Sequence, residues 1–302
     1  MKITLLGSIG NINRFVIPRL VQAGHTVTVI TSNSQRVSKI EAFGAKAAVG
    51  DMADQAFLTQ AFTGADIVYL MISGTNPDLF GSAKRLGDIF AGAVQAAKVP
   101  QVVNLSSIGA QDPDSGSLYA YHFIEDALSQ LKVDVAFVRP MGFYNNLFAN
   151  LPTLHQNHTL YANVPASVAR KMVSPSDIAD VIYDMLTHCP AGKTIRYVVS
   201  DTFTGTQTVD AFSQALGFEV HFVEISDDQY AESLRQAGIP ETIIKPFVAS
   251  TQHQKRPDLM YADLANHPVI TGRVKLDDFA KTFADAFNAG DHAPKAHTVA
   301  NK

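Results

Sequence analysis

Apolar and polar positions divide the first 140 residues into one repeating unit. A short apolar run is followed by a turn and then by a segment with helical spacing. The runs fall at residues 3–6, 26–30, 47–49, 67–71, 102–105 and 133–138. Most are apolar throughout rather than alternating, as strands covered on both faces are. Strands separated by helices imply a parallel sheet with right-handed crossovers. The fold class expected is α/β, a doubly wound parallel sheet.

Helix starts support that reading. Asn76-Pro77-Asp78 offers a cap, a proline and a first-turn acid. After it Leu79, Ala83, Leu86, Phe90, Ala93 and Ala97 form one apolar stripe. Ser174 with Asp177, and Ser226 with Gln229, have capping-box spacing.

The texture changes after Pro140. Residues 141–170 are asparagine-rich with little periodicity, and read as loops and short helices. A helix at 176–187 and a strand at 194–199 follow, then helix, strand and two helices within 208–262, and a last helix at 276–287. The organisation expected is a nucleotide-binding core over 1–150, rejoined by 175–200. Residues 151–174 and 201–288 make a smaller C-terminal α/β cap on the substrate side, and 289–302 a flexible tail.

Composition narrows the function. Lys plus Arg is 24 against 28 Asp plus Glu, a net charge of −4, which disfavours a nucleic-acid footprint. Cys189 is the only cysteine, so an intrachain disulfide or thiolate-rich zinc site is excluded. The ten histidines show no ligand spacing, and no metal is expected. The start reads as a first strand, not a secretory signal, and no run is long enough for a membrane span. The location expected is cytoplasmic.

The strongest chemical signal is Gly7-Ser8-Ile9-Gly10-Asn11-Ile12-Asn13, directly after the first strand and opening a helix. Gly7 allows a tight turn and Gly10 a close approach of backbone to pyrophosphate, held by free N–H groups and the helix dipole. This is the context of a Rossmann-type dinucleotide site. Gly7, Ile9, Gly10, Asn11 and Ile12 are the expected phosphate contacts. The usual third glycine is Asn13, which either widens the approach or itself donates to phosphate.

The second strand runs into Ser32, Asn33 and Arg36, with no acid to meet a free ribose, so the cofactor call is NAD(P)H, leaning to NADP. Equally, a serine there caps the next helix and Arg36 faces solvent. Asp51 and Met52 follow the third strand, placed to meet adenine, or Asp51 caps a helix. Ile72, Ser73 and Ser106 end the fourth and fifth strands, where ligands collect.

Ser107, Tyr121 and His122 are the candidate catalytic residues. A Tyr–Lys pair four residues apart would serve ketone chemistry, but Tyr119 meets Phe123 and Tyr121 meets Glu125 at that spacing. Hydride transfer to a flavin or quinone asks mainly for position, with the proton from water or a weak local donor. Glu125 reads as structural, bonding backbone near Arg139. Phe143, Tyr144 and Asn145 are the expected pocket wall, and Arg139 a packing or ion-pair residue.

Taken together, residues 7–13, Gly50-Asp51-Met52-Ala53-Asp54, 104–107, Glu125 and 139–143 resemble the NmrA-like proteins, atypical relatives of the short-chain dehydrogenase/reductases. The resemblance implies an NAD(P)H-dependent oxidoreductase acting on a quinone or other small planar molecule. It equally embraces catalytically weak regulators that sense the redox state of NAD(P). Where reductases of that family often carry lysine this chain has Tyr121, and where many carry an NADP-binding arginine it has Ser32. A homodimer fits this class of fold.

Overall fold

The computed structural model describes residues 1–72 and 76–290. In chain order the elements are β1 (Lys2–Leu5), α1 (Asn13–Gln22), β2 (Thr26–Thr31), α2 (Val37–Glu41), β3 (Lys46–Val49), α3 (Gln55–Phe62), β4 (Ile67–Leu70), α4 (Leu79–Ala97), β5 (Gln101–Leu105), α5 (Ala120–Ser129), β6 (Asp134–Pro140), β7 (Gly142–Phe143) and α6 (Leu151–Asn157). They continue with β8 (Thr159–Ala162), β9 (Arg170–Val173), α7 (Pro175–Thr187), β10 (Lys193–Val199), β11 (Asp201–Phe203), α8 (Gly205–Leu216), β12 (His221–Glu224), α9 (Asp227–Gln236), α10 (Glu241–Gln254), α11 (Pro257–Met260), β13 (Val269–Thr271) and α12 (Leu276–Asn288).

Eight strands form one sheet in the order β13-β10-β6-β5-β4-β1-β2-β3, every neighbouring pair parallel. The order reverses between β1 and β4, which opens a crevice at their carboxyl ends. The uniformly apolar runs have the expected cause: all four residues of β4 are buried. Alternate side chains enter different cores. Tyr69 joins the cluster with Val16 and Ile182 of α1 and α7. Val68 and Leu70 join the one with Phe90 and Ile124 of α4 and α5.

A third core lies in the C-terminal unit, where Phe148, Phe212 and Phe283 pack with Leu154 and Leu160. The rings of Phe148 and Phe283 stack at 5.5 Å and those of Phe212 and Phe283 at 4.2 Å. This unit holds two small sheets, β11-β9-β7 and β12-β8. The asparagine-rich stretch holds loops and the short helix α6 as expected, but also β7 and β8, with β9 beginning at its end; each strand is short and pairs with a distant segment, so its own periodicity is weak. Residues 269–271, assigned by sequence to the cap, are the edge strand of the main sheet. The expected tail over 291–302 lies outside the described residues. Among the described residues, no helix is long and apolar enough to cross a membrane.

Local signals acted with small shifts. Ser226 and Gln229 make the reciprocal capping box. Helix α4 is capped by Asp78, whose side chain accepts from Gly81 N–H at 3.1 Å, while Asn76 accepts from Asp78 N–H. Ser174 caps α7, but Asp177 does not close a box. It accepts from Ser200 Oγ at 2.5 Å and from Val274 N–H at 3.1 Å, tying α7 to the segment after β13.

One buried polar network fixes the carboxyl edge of the sheet. Arg139 on β6, 4 % exposed, donates to Glu125 on α5 through Nη2 at 2.6 Å and Nε at 2.9 Å. Ser106 Oγ donates to the same carboxylate at 2.5 Å. Arg139 Nη1 reaches Tyr197 of β10 at 2.8 Å and Asp263 at 3.1 Å, and Tyr197 donates to Asp263 at 2.6 Å. Burial works against the charge on Arg139, but the bonds and charge of Glu125 outweigh it and raise its pKa. Glu125 thus pairs with the Arg139 side chain, not with backbone as expected. Glu125→Ala leaves that guanidinium buried beside one remaining acid and lowers unfolding stability by about 3–5 kcal/mol, measurable by urea denaturation.

Candidate functional site

The turn after β1 is shaped by its own residues. Gly7 has φ +92°, a backbone conformation that favours glycine, and a Cβ there would stand 2.9 Å from Met71 Sδ, so that the methionine would have to shift. Ser8 N–H bonds to Ile30 O at 3.1 Å and Gly10 N–H to Gly7 O at 3.2 Å. Asn13 is buried and its Nδ2 donates to Leu6 O at 2.7 Å and to Ser8 O at 2.8 Å. Both amide hydrogens are committed to the loop, so the expectation that Asn13 donates to phosphate is corrected. It braces the turn where a third glycine would have left space.

The turn is open as an anion cradle. Among the described residues, the N–H groups of Ile9, Asn11 and Ile12 make no hydrogen bond. They precede α1, which has no side-chain cap. Uncapped donors at a helix N-terminus suit a diphosphate. A Cβ on Gly10 would lie 3.1 Å from Gly7 O.

The other strand ends surround this turn. Ser32 and Arg36 are exposed, and among the described residues the Ser32 hydroxyl and the Arg36 guanidinium make no hydrogen bond. Asn33 Oδ1 is used, accepting from Gln35 N–H at 2.9 Å. Asp51 accepts from Ala53 N–H at 2.9 Å, and Asp54, not Asp51, caps α3. Met52 is half-buried. Ile72 is half-buried beyond β4, and Ser73 lies outside the described residues. Ser106 and Ser107 differ: Ser106 Oγ is bound to Glu125, whereas the Ser107 hydroxyl has no partner among the described residues.

Aromatic groups stand on α5 and the segment before it. Tyr119 stacks on His122 at 4.6 Å and 10°, and Phe123 meets both edge-on at 5.7 Å. Phe80 meets Phe123 at 6.2 Å. Tyr121 is half-buried, and burial raises its pKa. Tyr69 is fully buried, its hydroxyl without a partner among the described residues. Burial first, and then Tyr121, raise its pKa as well. Both phenols remain protonated hydrogen-bond donors at neutral pH.

Beyond β6 the wall differs from expectation. Phe143 is half-buried and packs against the core cluster of α1 and α7, to which Ile9, Met71, Leu118, Tyr261 and Leu264 also contribute partly buried side chains. Asn145 is half-buried, and its side chain makes no hydrogen bond among the described residues. Tyr144 is corrected: it is fully buried, stacked on Phe279 at 4.8 Å, with its hydroxyl on Val274 O at 3.1 Å. It is a core residue of the C-terminal unit, because the chain turns inward there. Leu118, Tyr261 and Leu264 escaped the sequence reading, since no local pattern links three distant segments.

Helix α10 bridges the loops that follow β4 and β5. Thr242 Oγ1 donates to Pro77 O at 2.6 Å. At the other end Ser250 Oγ donates to Ser115 O and accepts from Ser117 N–H, both at 2.8 Å. His253 Nε2 lies 3.1 Å from Asp112 Oδ2. Gly116 permits this contact, for a Cβ there would meet Pro246 O at 2.3 Å and Ser250 N at 2.5 Å. Among the described residues, no group of three His, Cys, Asp or Glu is placed to hold a metal.

Strand order, switch-point crevice and glycine turn define a dinucleotide-binding α/β protein of the Rossmann type. The chain belongs to the NmrA-like family, whose sequence profile matches residues 1–262. An NAD(P)H azoreductase of Xenophilus azovorans is 26 % identical over 294 residues, 95 % of this chain and 99 % of that protein. The NADPH-dependent quinone oxidoreductase QOR2 of Escherichia coli, in complex with NADPH, has the same fold. Its TM-score is 0.75 at 19 % identity, over 95 % of this chain and 100 % of that one. The Citrobacter sp. triphenylmethane reductase complexed with NADP(H) gives 0.77 at 18 % identity, over 93 % and 99 %.

Gly10→Val places a branched side chain where a diphosphate must approach. NADPH affinity falls by more than about tenfold while the far-ultraviolet circular dichroism is kept, as followed by nicotinamide fluorescence.

Proposed function

We propose that this protein is an NAD(P)H-dependent reductase that passes a hydride to a planar acceptor, a quinone or an azo compound. One observation carries the reading. The turn with unused N–H groups lies at the switch point of the sheet, and among the described residues the tyrosines of the α5 region, Tyr119 and Tyr121, have Phe123 and Glu125 rather than lysine four residues on. The azoreductase and quinone reductase relatives support it.

When bound, the nicotinamide supplies the hydride. The N–H groups of Ile9, Asn11 and Ile12 hold the diphosphate, and the free Ser32 hydroxyl and Arg36 guanidinium favour the 2′-phosphate of NADPH. Asp51 and Met52 would flank the adenine, and Ile72 and Ser107 the nicotinamide half. Phe143 and Tyr261 exclude water on the acceptor side, and Asn145 offers its amide to an acceptor carbonyl. Tyr121, kept neutral by burial, donates a hydrogen bond to the acceptor oxygen or nitrogen. It is too weak an acid to be the main proton source, so the proton that accompanies the hydride comes from water. His122 is held by its stack on Tyr119 as part of the wall. A reduced nicotinamide pool as hydride source fits a cytoplasmic location.

Mixing the protein with NADPH and 1,4-naphthoquinone tests this directly through the loss of absorbance of the reduced nicotinamide. Rapid, acceptor-dependent oxidation is expected, faster with NADPH than with NADH. Tight cofactor binding with no oxidation by quinones or azo compounds would overturn the proposal in favour of cofactor sensing.

Tyr121→Phe removes one hydrogen-bond donor and lowers kcat by about tenfold. The raised pKa fixes the sign of the pH dependence. Tyr121 stays protonated up to and beyond the usual tyrosine range, so the wild-type rate shows no phenol-dependent decline below about pH 10. Such a decline, absent in Tyr121→Phe, would make the phenol the acid.

A further inference from the structure

Helices α9 and α10 are attached to the molecule on different terms from α8 and α12. The latter two are pinned by Phe212, Phe279 and Phe283, buried in the C-terminal core. No residue of α9 is buried, and α10 buries only Ile243, Ile244, Ser250 and His253. Among the described residues, neither α9 nor α10 contributes a side chain to any of the three apolar cores. Lifting this pair away therefore uncovers little apolar surface, whereas lifting α8 or α12 would open a core.

What holds the pair in place is largely polar. Asn163 Nδ2 donates to Asp227 Oδ1 at 2.8 Å and to Thr251 Oγ1 at 2.7 Å, and Lys255 Nζ donates to Asp227 Oδ1 at 2.7 Å. On the other side Thr242 ends on Pro77 O, Ser250 on Ser115 and Ser117, and His253 faces Asp112. The Ser250 and Ser117 hydroxyls lie 2.8 Å apart. Water can take over each of these bonds, so the net contribution of each is modest. The chain on either side is fixed. Ile225 N–H bonds to Ala162 O at 3.0 Å, and Met260 is buried in the core with α1 and α7. A lightly held helix pair between two fixed ends is a movable element.

Its resting place is beside the strand ends assigned above to the nicotinamide half. Strands β4 and β5 are neighbours in the sheet. Pro77 lies beyond β4, and Asp112, Ser115 and Ser117 lie between β5 and α5. Ser117 is two residues before Tyr119, whose ring stacks on His122. Movement of α10 is thereby tied to the segment that leads into the aromatic residues of α5.

We propose that α9 and α10 form a strap across the segments that follow β4 and β5, latched by Ser250, which opens to pass the acceptor and closes to fix the approach to α5. The proposal rests on the reductase reading for what passes and adds to it a moving part.

The test joins the latch covalently. Ser117→Cys with Ser250→Cys, in a Cys189→Ser chain so that no other thiol competes, places two thiols where hydroxyls stand 2.8 Å apart, and diamide oxidises them to a disulfide. Duroquinone is the acceptor, because its fully substituted ring adds no thiol. The joined variant should oxidise NADPH at least about tenfold more slowly and keep NADPH affinity within about threefold. Reduction with dithiothreitol, removed before the assay, should restore the rate. In the wild type, amide hydrogen exchange should show less protection in α9 and α10 than in α8 and α12. Ser250→Ala should lower it further in α9, α10 and residues 112–117 alone.

An unchanged rate in the joined variant, or loss of NADPH binding on joining, overturns the strap as an acceptor gate and leaves the reductase reading intact. Should the disulfide not form, protection of α9 and α10 equal to that of α8 overturns the strap instead. A wild type that oxidises NADPH with neither duroquinone nor 1,4-naphthoquinone sinks the reductase reading. Low protection confined to α9 and α10 and sensitive to Ser250 would then still sustain the moving strap.

Discussion

Burying the Arg139 guanidinium is the constraint around which the carboxyl edge of this molecule is arranged. A charge in that position is tolerable only when nearly every donor is met. Meeting them draws Glu125 from α5, Tyr197 from β10 and Asp263 from beyond α11 to one point. The same carboxylate takes the Ser106 hydroxyl, which anchors the end of β5. Among the described residues, the hydroxyl of the neighbouring Ser107 has no partner. Electrostatic necessity in the interior therefore sets the geometry of a surface that has to receive a cofactor.

The two halves of the crevice are built on different terms. The cofactor half is backbone: a turn braced by Asn13, with unused N–H groups and glycines where side chains would collide. Its chemistry depends little on side-chain identity, apart from the residues after β2. The proposed acceptor half is side chain: the stack of Tyr119 on His122 at the start of α5 and the half-buried Phe143 beyond β6. Fixed dipoles and a dry aromatic wall are what a hydride transfer needs from a protein.

Much of this could be read in the sequence, and the remainder fails for identifiable reasons. Residues of the parallel strands are apolar on both faces, a local property, so the core strands and the turn at Gly7 were legible. Strands β8, β9 and β13 have three or four residues and owe their existence to partners far along the chain. Tyr144 shows the same limit at the level of one side chain. Its type suited a pocket wall, but the stacks with Phe203 and Phe279 that draw it inward come from segments over fifty residues away. Asn13 was visible as an anomaly in the glycine pattern, yet its bracing role depends on where two carbonyls point.

The path of the chain through the main sheet has a consequence for how such a protein can change. Residues of the C-terminal unit leave the sheet after β6 and after β10, and each time the chain returns to add the next strand in parallel. The proposed acceptor side thus lies on two excursions held at both ends by the sheet, joined by α12 after the last strand, whereas the cofactor turn lies wholly within the early strands. Substitutions, insertions or deletions in the excursions can redraw the acceptor surface without disturbing strand pairing. New acceptors become accessible by small evolutionary steps, while the hydride source is inherited unchanged.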